Sequence, residues 1–137
     1  ELSGCEFELA FQFPFNVLDQ RFVQVSMTQG KRYARSVFLQ GLLASPNGLR
    51  PDAPGELLNL QKDYHDRLAD HHLDPVRFSV SFAAHNVAVD YFLIGVDLAK
   101  QLRNILNLKP YEQKDMVILD KLQVITTNKW LDPREWN

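Results

Sequence analysis

Phe7-Glu8-Leu9-Ala10-Phe11-Gln12-Phe13-Pro14-Phe15-Asn16-Val17-Leu18 is a dense apolar run, bounded by Gly4 on one side and Asp19-Gln20-Arg21 on the other. Aromatic and aliphatic residues on both faces are the pattern of a parallel strand covered by helices. Pro14 has no N–H to give to a ladder, so the strand is expected over about residues 7–13. Downstream, a short helical stretch over about 21–30 closes on Gly30 as a C-cap and leads to a second strand, Tyr33-Ala34-Arg35-Ser36-Val37-Phe38. Its exit, Leu39-Gln40-Gly41-Leu42-Leu43, enters a loop punctuated by Ser45-Pro46-Asn47-Gly48 and Pro51-Asp52-Ala53-Pro54-Gly55.

Leu57, Leu60, Tyr64 and Leu68 then recur at helical spacing, which predicts an amphipathic helix over about 55–72. Asp74 reads as an N-cap with Pro75 in the first turn of a second helix. Val76, Val80, Ala83 and Ala84 are its expected apolar face, and His85-Asn86 its end. Val87-Ala88-Val89-Asp90-Tyr91-Phe92-Leu93-Ile94-Gly95-Val96 holds a third buried strand closing on Gly95. Asp97 is expected to cap a last helix carrying Leu98, Leu102, Ile105 and Leu106. Strands alternating with helices predict an α/β fold with a parallel sheet joined by right-handed crossovers. Three strands this apolar leave two unprotected edges, so the sheet reads as part of a larger one. The tail, 109–137, carries an amphipathic stretch from Met116 to Leu122 and ends around Trp130 and Trp136, which are expected to pack across the end of the scaffold.

The chain has 137 residues, with 15 Lys and Arg against 17 Asp and Glu, a net charge of -2. That balance leaves no basic footprint for nucleic acid, and no apolar run reaches the ~18 to 20 residues of a membrane helix. One cysteine, Cys5, builds no disulfide framework, and no leader pattern opens the chain, so a reducing cytoplasm is the expected setting. The first residue is Glu1 rather than Met, from which an upstream segment is expected.

His65, His71, His72 and His85 have no spacing that converges on one ion and read as solvated helix-surface residues. Cys5 reads as a small buried hydrophobe, and paired carboxylates such as Asp63 with Asp66 as solvated faces. There is no GxSxG, GxGxxG or GxxxxGK. Two strand-to-turn segments remain, both where a parallel sheet binds ligands, beyond the carboxyl ends of its strands. In Arg35-Ser36-Val37-Phe38-Leu39-Gln40-Gly41, a hydroxyl, backbone N–H groups and a permissive glycine suit a phosphate. In Ile94-Gly95-Val96-Asp97 a helix start attracts anions, but the Asp97 carboxylate opposes a bare one; capping for Asp97 and a tight turn for Gly95 are the competing roles.

Taken in order, these segments resemble the C-terminal part of the aldo/keto reductases, NAD(P)H-dependent oxidoreductases built on a TIM barrel. The segment Phe11 to Arg21 is similar to the family's sixth strand and its exit. Arg35-Ser36-Val37-Phe38-Leu39-Gln40-Gly41-Leu42-Leu43 is similar to the seventh strand with its cofactor loop. Tyr91-Phe92-Leu93-Ile94-Gly95-Val96, followed by Gln101-Leu102, resembles the eighth strand and helix. The wording NVLDQR, RSVFLQGLL and the terminal LDPREW is close to a bacterial branch of the family, and the resemblance covers nearly the whole chain.

It implies a partial TIM (β/α)8 barrel, the last three βα units plus a C-terminal tail, as a single portion spanning 1–137. It implies that Gln12 hydrogen-bonds the nicotinamide carboxamide, and that Arg35 stands where the family often has an aromatic ring under the nicotinamide. Ser36, Phe38, Gln40 and Gly41 would cradle the pyrophosphate. Gly95, Val96, Asp97 and Gln101 would surround the adenosine ribose and any 2'-phosphate, with Asn104 near the adenine. Ile105 replaces an asparagine that pairs with adenine in many members, and the usual Lys or Arg for the 2'-phosphate is absent from its place, with Lys100 next to it. NADP and NAD both stay open as cofactor, Asp97 pulling towards NAD. The family's catalytic Asp, Tyr, Lys and His belong to the first four strands, ahead of Glu1. Tyr33, Tyr64, Tyr91 and Tyr111 match no catalytic position. The chain alone is therefore expected to be inactive on the small carbonyl substrate of its parent, and to meet either an N-terminal half or another chain at its open sheet edges. The alternative function is a non-catalytic half-barrel module that pairs those edges.

Overall fold

The computed structural model describes residues 9–22, 30–116 and 128–136. Among them, β1 (Ala10–Pro14), β2 (Lys31–Arg35) and β3 (Tyr91–Phe92) form an all-parallel sheet in the order β1-β2-β3. Helices α1 (Gly55–Asp70) and α2 (Pro75–His85) lie between β2 and β3 in the chain, and α3 (Ala99–Leu106) follows β3. The α/β class and the parallel sheet are as the alternation predicts. Short 3-10 turns at Gln113–Met116, Asn128–Leu131 and Pro133–Trp136 follow.

Among the described residues one sheet face is buried and the other is open, which corrects the expectation of strands buried on both faces. In register, Gln12 lies beside Tyr33 and Tyr33 beside Tyr91, so the three share one face. There Gln12 is exposed, Tyr91 is 49% exposed, and the Tyr33 and Tyr91 rings stack at 5.0 Å. The opposite face carries Phe13, Phe15 and Ala34 into the core, where Phe15 stacks on Phe82 of α2 at 5.0 Å. The periodic residues Leu57, Leu60, Tyr64 and Leu68 of α1 are all buried there, as their spacing predicts. Asp74 caps α2 as expected, its carboxylate accepting from Arg77 N at 2.7 Å, with Pro75 at the helix start. Val80 and Ala83 are buried on α2 as expected, together with Phe78 and Phe82, whereas Val76 is half-buried and Ala84 is exposed.

Several boundaries move. The first strand runs through Pro14 as its last residue, where the missing N–H costs nothing because Phe15 N resumes the ladder to Arg35 O at 2.9 Å. The second strand ends at Arg35, not Phe38, because Ser36 turns to φ +59° and drops Val37 and Leu39 into the core through a turn. The third strand shrinks to two residues, and Leu93 and Val96 are exposed. Asp97 does not cap α3; Leu98 holds the N-cap position, and the Gln101 side chain accepts from the backbone N–H groups of both Asp97, at 2.9 Å, and Leu98, at 3.0 Å. Cys5, the strand's expected start at Phe7, most of the predicted 21–30 helix and the Met116–Leu122 stretch beyond Met116 lie outside the described residues. Trp130 packs in the core, and Trp136 donates from Nε1 to Trp130 O at 3.1 Å. No described helix is long and apolar enough to cross a membrane.

Candidate functional site

The backbone leaving β2 adopts φ values of +59°, +44° and +54° at Ser36, Leu39 and Gln40, and +92° at Gly41. Left-handed conformations at non-glycine residues cost about 1–3 kcal/mol each and persist only where their surroundings hold them. Three side chains do so here. Buried Asn16 donates from Nδ2 to Ser36 O at 3.1 Å, His65 Nε2 donates to Leu42 O at 2.8 Å, and Gln61 Nε2 donates to Ser45 O at 3.0 Å. The bond to a carbonyl requires the proton on His65 Nε2. His65 is thus buried, which corrects its reading as a solvated residue; His71, His72 and His85 are exposed, and His85 Nε2 donates to Tyr111 O at 2.6 Å.

Gly41 and Gly48 bring two parts of the loop into backbone contact. A β-carbon at Gly48 would lie 2.0 Å from Gly41 O, a distance no side chain tolerates. Inside the turn, Leu39 N, Gly41 N, Leu42 N and Leu43 N are spent on loop carbonyls. The N–H groups of Val37, Phe38 and Gln40 donate to no other group among the described residues.

The second wall follows β3. Arg32 anchors it, with Nε and Nη2 on the two Asp90 oxygens at 3.1 and 2.9 Å and its backbone N on Oδ2 at 2.8 Å. The hydrogen bonds from Arg32 hold the Asp90 carboxyl at about 2, well below the ordinary carboxylate range. Asp90 N returns a bond to Arg32 O and Leu93 N bonds Ala34 O, so the segment from Leu93 to Asp97 starts from a fixed strand end. Gly95 makes no tight turn: its φ is not positive, and a β-carbon there would meet nothing within 4 Å.

Between the two walls lies a cavity of about 770 Å³, within the ~300–1,000 Å³ typical of ligand pockets. Of the residues singled out from sequence, Ser36, Phe38, Gln40, Gly41, Gly95, Val96, Asp97, Gln101 and Asn104 all line it. Gln12 and Arg35 do not. Gln12 sits on the open sheet face, and exposed Arg35 reaches the cavity's edge only through Nη1 to Ser36 Oγ at 3.3 Å. The sequence reading missed Ser45, Gly48, Asp74 and Val76 as lining. Asp74 carried only its capping signal, and the Ser45-to-Gly48 stretch only that of a turn. The lining holds two carboxylates, Asp74 and Asp97, and among the described residues no Lys or Arg. No cluster of three potential metal ligands occurs among the described residues.

No family model matches this chain, and no curated protein matches it either.

Proposed function

We propose that this chain is the cofactor-binding portion of an NAD(P)H-dependent aldo/keto reductase, its three parallel strands being the last three of an eight-stranded barrel. One observation carries the reading: two loops more than fifty positions apart in sequence, singled out as the two ends of one dinucleotide site, line a single cavity beyond the carboxyl ends of parallel strands. Its size and its unspent amides at Val37, Phe38 and Gln40 fit a pyrophosphate held by backbone N–H groups rather than by cations.

In this reading Ser36, Phe38, Gln40 and Gly41 cradle the pyrophosphate, and Gly95, Val96, Asp97, Gln101 and Asn104 surround the adenosine. Gln12 has an amide that both donates and accepts, suited to the nicotinamide carboxamide, and Arg35 lies between it and the loop at the end of β2. The bound nicotinamide supplies a hydride to an aldehyde or ketone carbon; the residues here orient the donor. The proton for the developing alkoxide comes from elsewhere. No tyrosine lines the cavity, and burial pushes the Tyr64 hydroxyl far above its ordinary value, which removes it as an acid.

Fluorescence titration with NADH and NADPH tests the assignment, together with an assay on a generic aldehyde. Saturable binding without turnover is the expected result. Absence of binding by either nucleotide contradicts the cofactor role, and nucleotide-dependent turnover contradicts the missing acid.

The open sheet face supports a second reading, a non-catalytic module whose sheet edges pair with another chain. Tyr91 is exposed there, and Leu93, Val96, Leu98, Leu102 and Leu106 are exposed in the segment after β3 and in α3. A scattering mass above 15.8 kDa is expected for it, whereas a compact monomer contradicts it.

A further inference from the structure

We infer that α3 is a lid over the cavity and that Tyr111 is the latch that holds it closed; the inference rests on the cavity alone, whichever ligand fills it. α3 supplies Gln101, Asn104 and Ile105 to one wall, yet none of its residues is buried and only Ile105 is half-buried. α1 and α2, by contrast, bury six residues each. A helix in a fold is held mainly by the apolar face it buries, and α3 has little of that support. Its hydrogen bonds say the same. The last bond from this stretch to the sheet is Leu93 N to Ala34 O at 2.7 Å. From Ile94 to Leu108, every hydrogen bond among the described residues stays within the stretch, including those that the Gln101 side chain accepts from Asp97 N and Leu98 N. α3 and its cap are therefore one body on two tethers, the arrangement of a hinged lid.

The first tether is the link that leaves β3 through Gly95, where a β-carbon would meet nothing within 4 Å. The second is a clasp on α2 built around Tyr111. Its hydroxyl accepts from Asp74 N at 2.9 Å, and the Arg77 guanidinium lies 3.8 Å from its ring centroid while donating from Nε to Lys109 O at 2.6 Å. Its own N–H donates to Ser81 Oγ at 2.8 Å, and its carbonyl accepts from His85 Nε2 at 2.6 Å. The clasp thus spans α2 from its N-cap to its last residue. Two kinds of contact divide the work: Ser81 and His85 hold the main chain of Tyr111, whereas Asp74 and Arg77 hold its side chain. Asp74 and Leu108 both line the cavity, so the latch closes at the cavity rim. Releasing the ring frees the C-terminal end of α3, and the bonds to Ser81 and His85 keep the strap on α2.

Distances between spin labels on the whole chain test the inference. One label sits on α3 at Leu102→Cys and the other on α1 at Asn59→Cys or on α2 at Ala84→Cys, all exposed positions, in a Cys5→Ser background. With Tyr111 intact, one closed distance should dominate. Tyr111→Ala should raise the ratio of a displaced distance to the closed one at least ~10-fold, the loss expected for one cation–π contact and one hydrogen bond. Arg77→Ala, which leaves the tyrosine in place, should move the same populations in the same direction. A single distance that survives both substitutions overturns the lid. Loss of helical circular dichroism in both variants makes Tyr111 part of the scaffold and overturns the latch. NADH should restore the closed distance in the variants; if it does not while the substitutions open the lid, the lid stands and the dinucleotide reading falls.

Discussion

Asn16 Nδ2 donates to Ser36 O at 3.1 Å, joining the exit of β1 to the first left-handed residue after β2. The same side chain accepts from Leu18 N and Asp19 N at 2.9 Å each, so it is satisfied on both sides while almost fully buried. The loop that forms one wall of the cavity is thereby set by a residue that does not touch the cavity. Asn16 is a positioning residue, and Asn16→Ala should cost about 1–3 kcal/mol in chemical denaturation, since it strips buried groups of their partner. NADH affinity should fall in step under conditions where the variant is still folded. An Asn16→Ala chain with wild-type affinity would separate the loop's shape from this bond.

Gly95 offers the complementary case. A β-carbon there meets nothing in the fold, yet the residue lines the cavity. Gly95→Val should leave the melting temperature within a degree or two while weakening NADH binding at least ~10-fold, measured by titration. Loss of stability without loss of affinity would move Gly95 from the site to the scaffold.

Tyr64 is buried, and its hydroxyl has no partner among the described residues. Burial raises its pKa; the neighbouring Ser79 opposes the rise, but the Ser79 hydroxyl already donates to Pro75 O at 2.9 Å. The folded chain therefore keeps a proton that the unfolded chain releases above pH ~10. Below that pH the group contributes nothing to the pH dependence, and above it stability falls as pH rises. Tyr64→Phe removes an unpaired buried hydroxyl, so at pH 7 it should be about 1 kcal/mol more stable in urea, with a shallower alkaline decline.

The Arg32–Asp90 pair acts at the other end of the scale. Arg32 lowers the Asp90 carboxyl to about 2 in the fold, below the unfolded value of ~3.9. Its contribution is complete above that unfolded value and is lost as pH falls through about 2. Asp90→Asn removes the paired geometry at any pH. Faster amide exchange at Tyr91, Phe92 and Leu93, with unchanged exchange in α1, is the expected signature.

What the sequence made legible was local. The spacing of Leu57, Leu60, Tyr64 and Leu68 located α1, and the Asp74-Pro75 pair located the start of α2, because periodicity and capping act within a few residues. The two cavity loops were legible because each follows a strand end, and a permissive glycine, Gly41, marks the first of them. The failures were nonlocal. His65 looks like a surface residue until Leu42 O, 23 positions away, is brought against it. The apolar run from Val87 to Val96 predicts burial, but a strand is buried only by what lies beside it, and among the described residues one face of the sheet is left open. Asp97 was expected to cap α3; Gln101 took that task from inside the helix, which left the carboxylate at the cavity wall.

Amide hydrogen exchange of the chain with and without saturating NADH tests the central claim most directly. The account predicts slowed exchange in two separated segments, residues 36–45 and 93–104, with α1 unchanged. Protection confined to other residues, or none in these two segments, would contradict a dinucleotide site between the β2 and β3 loops.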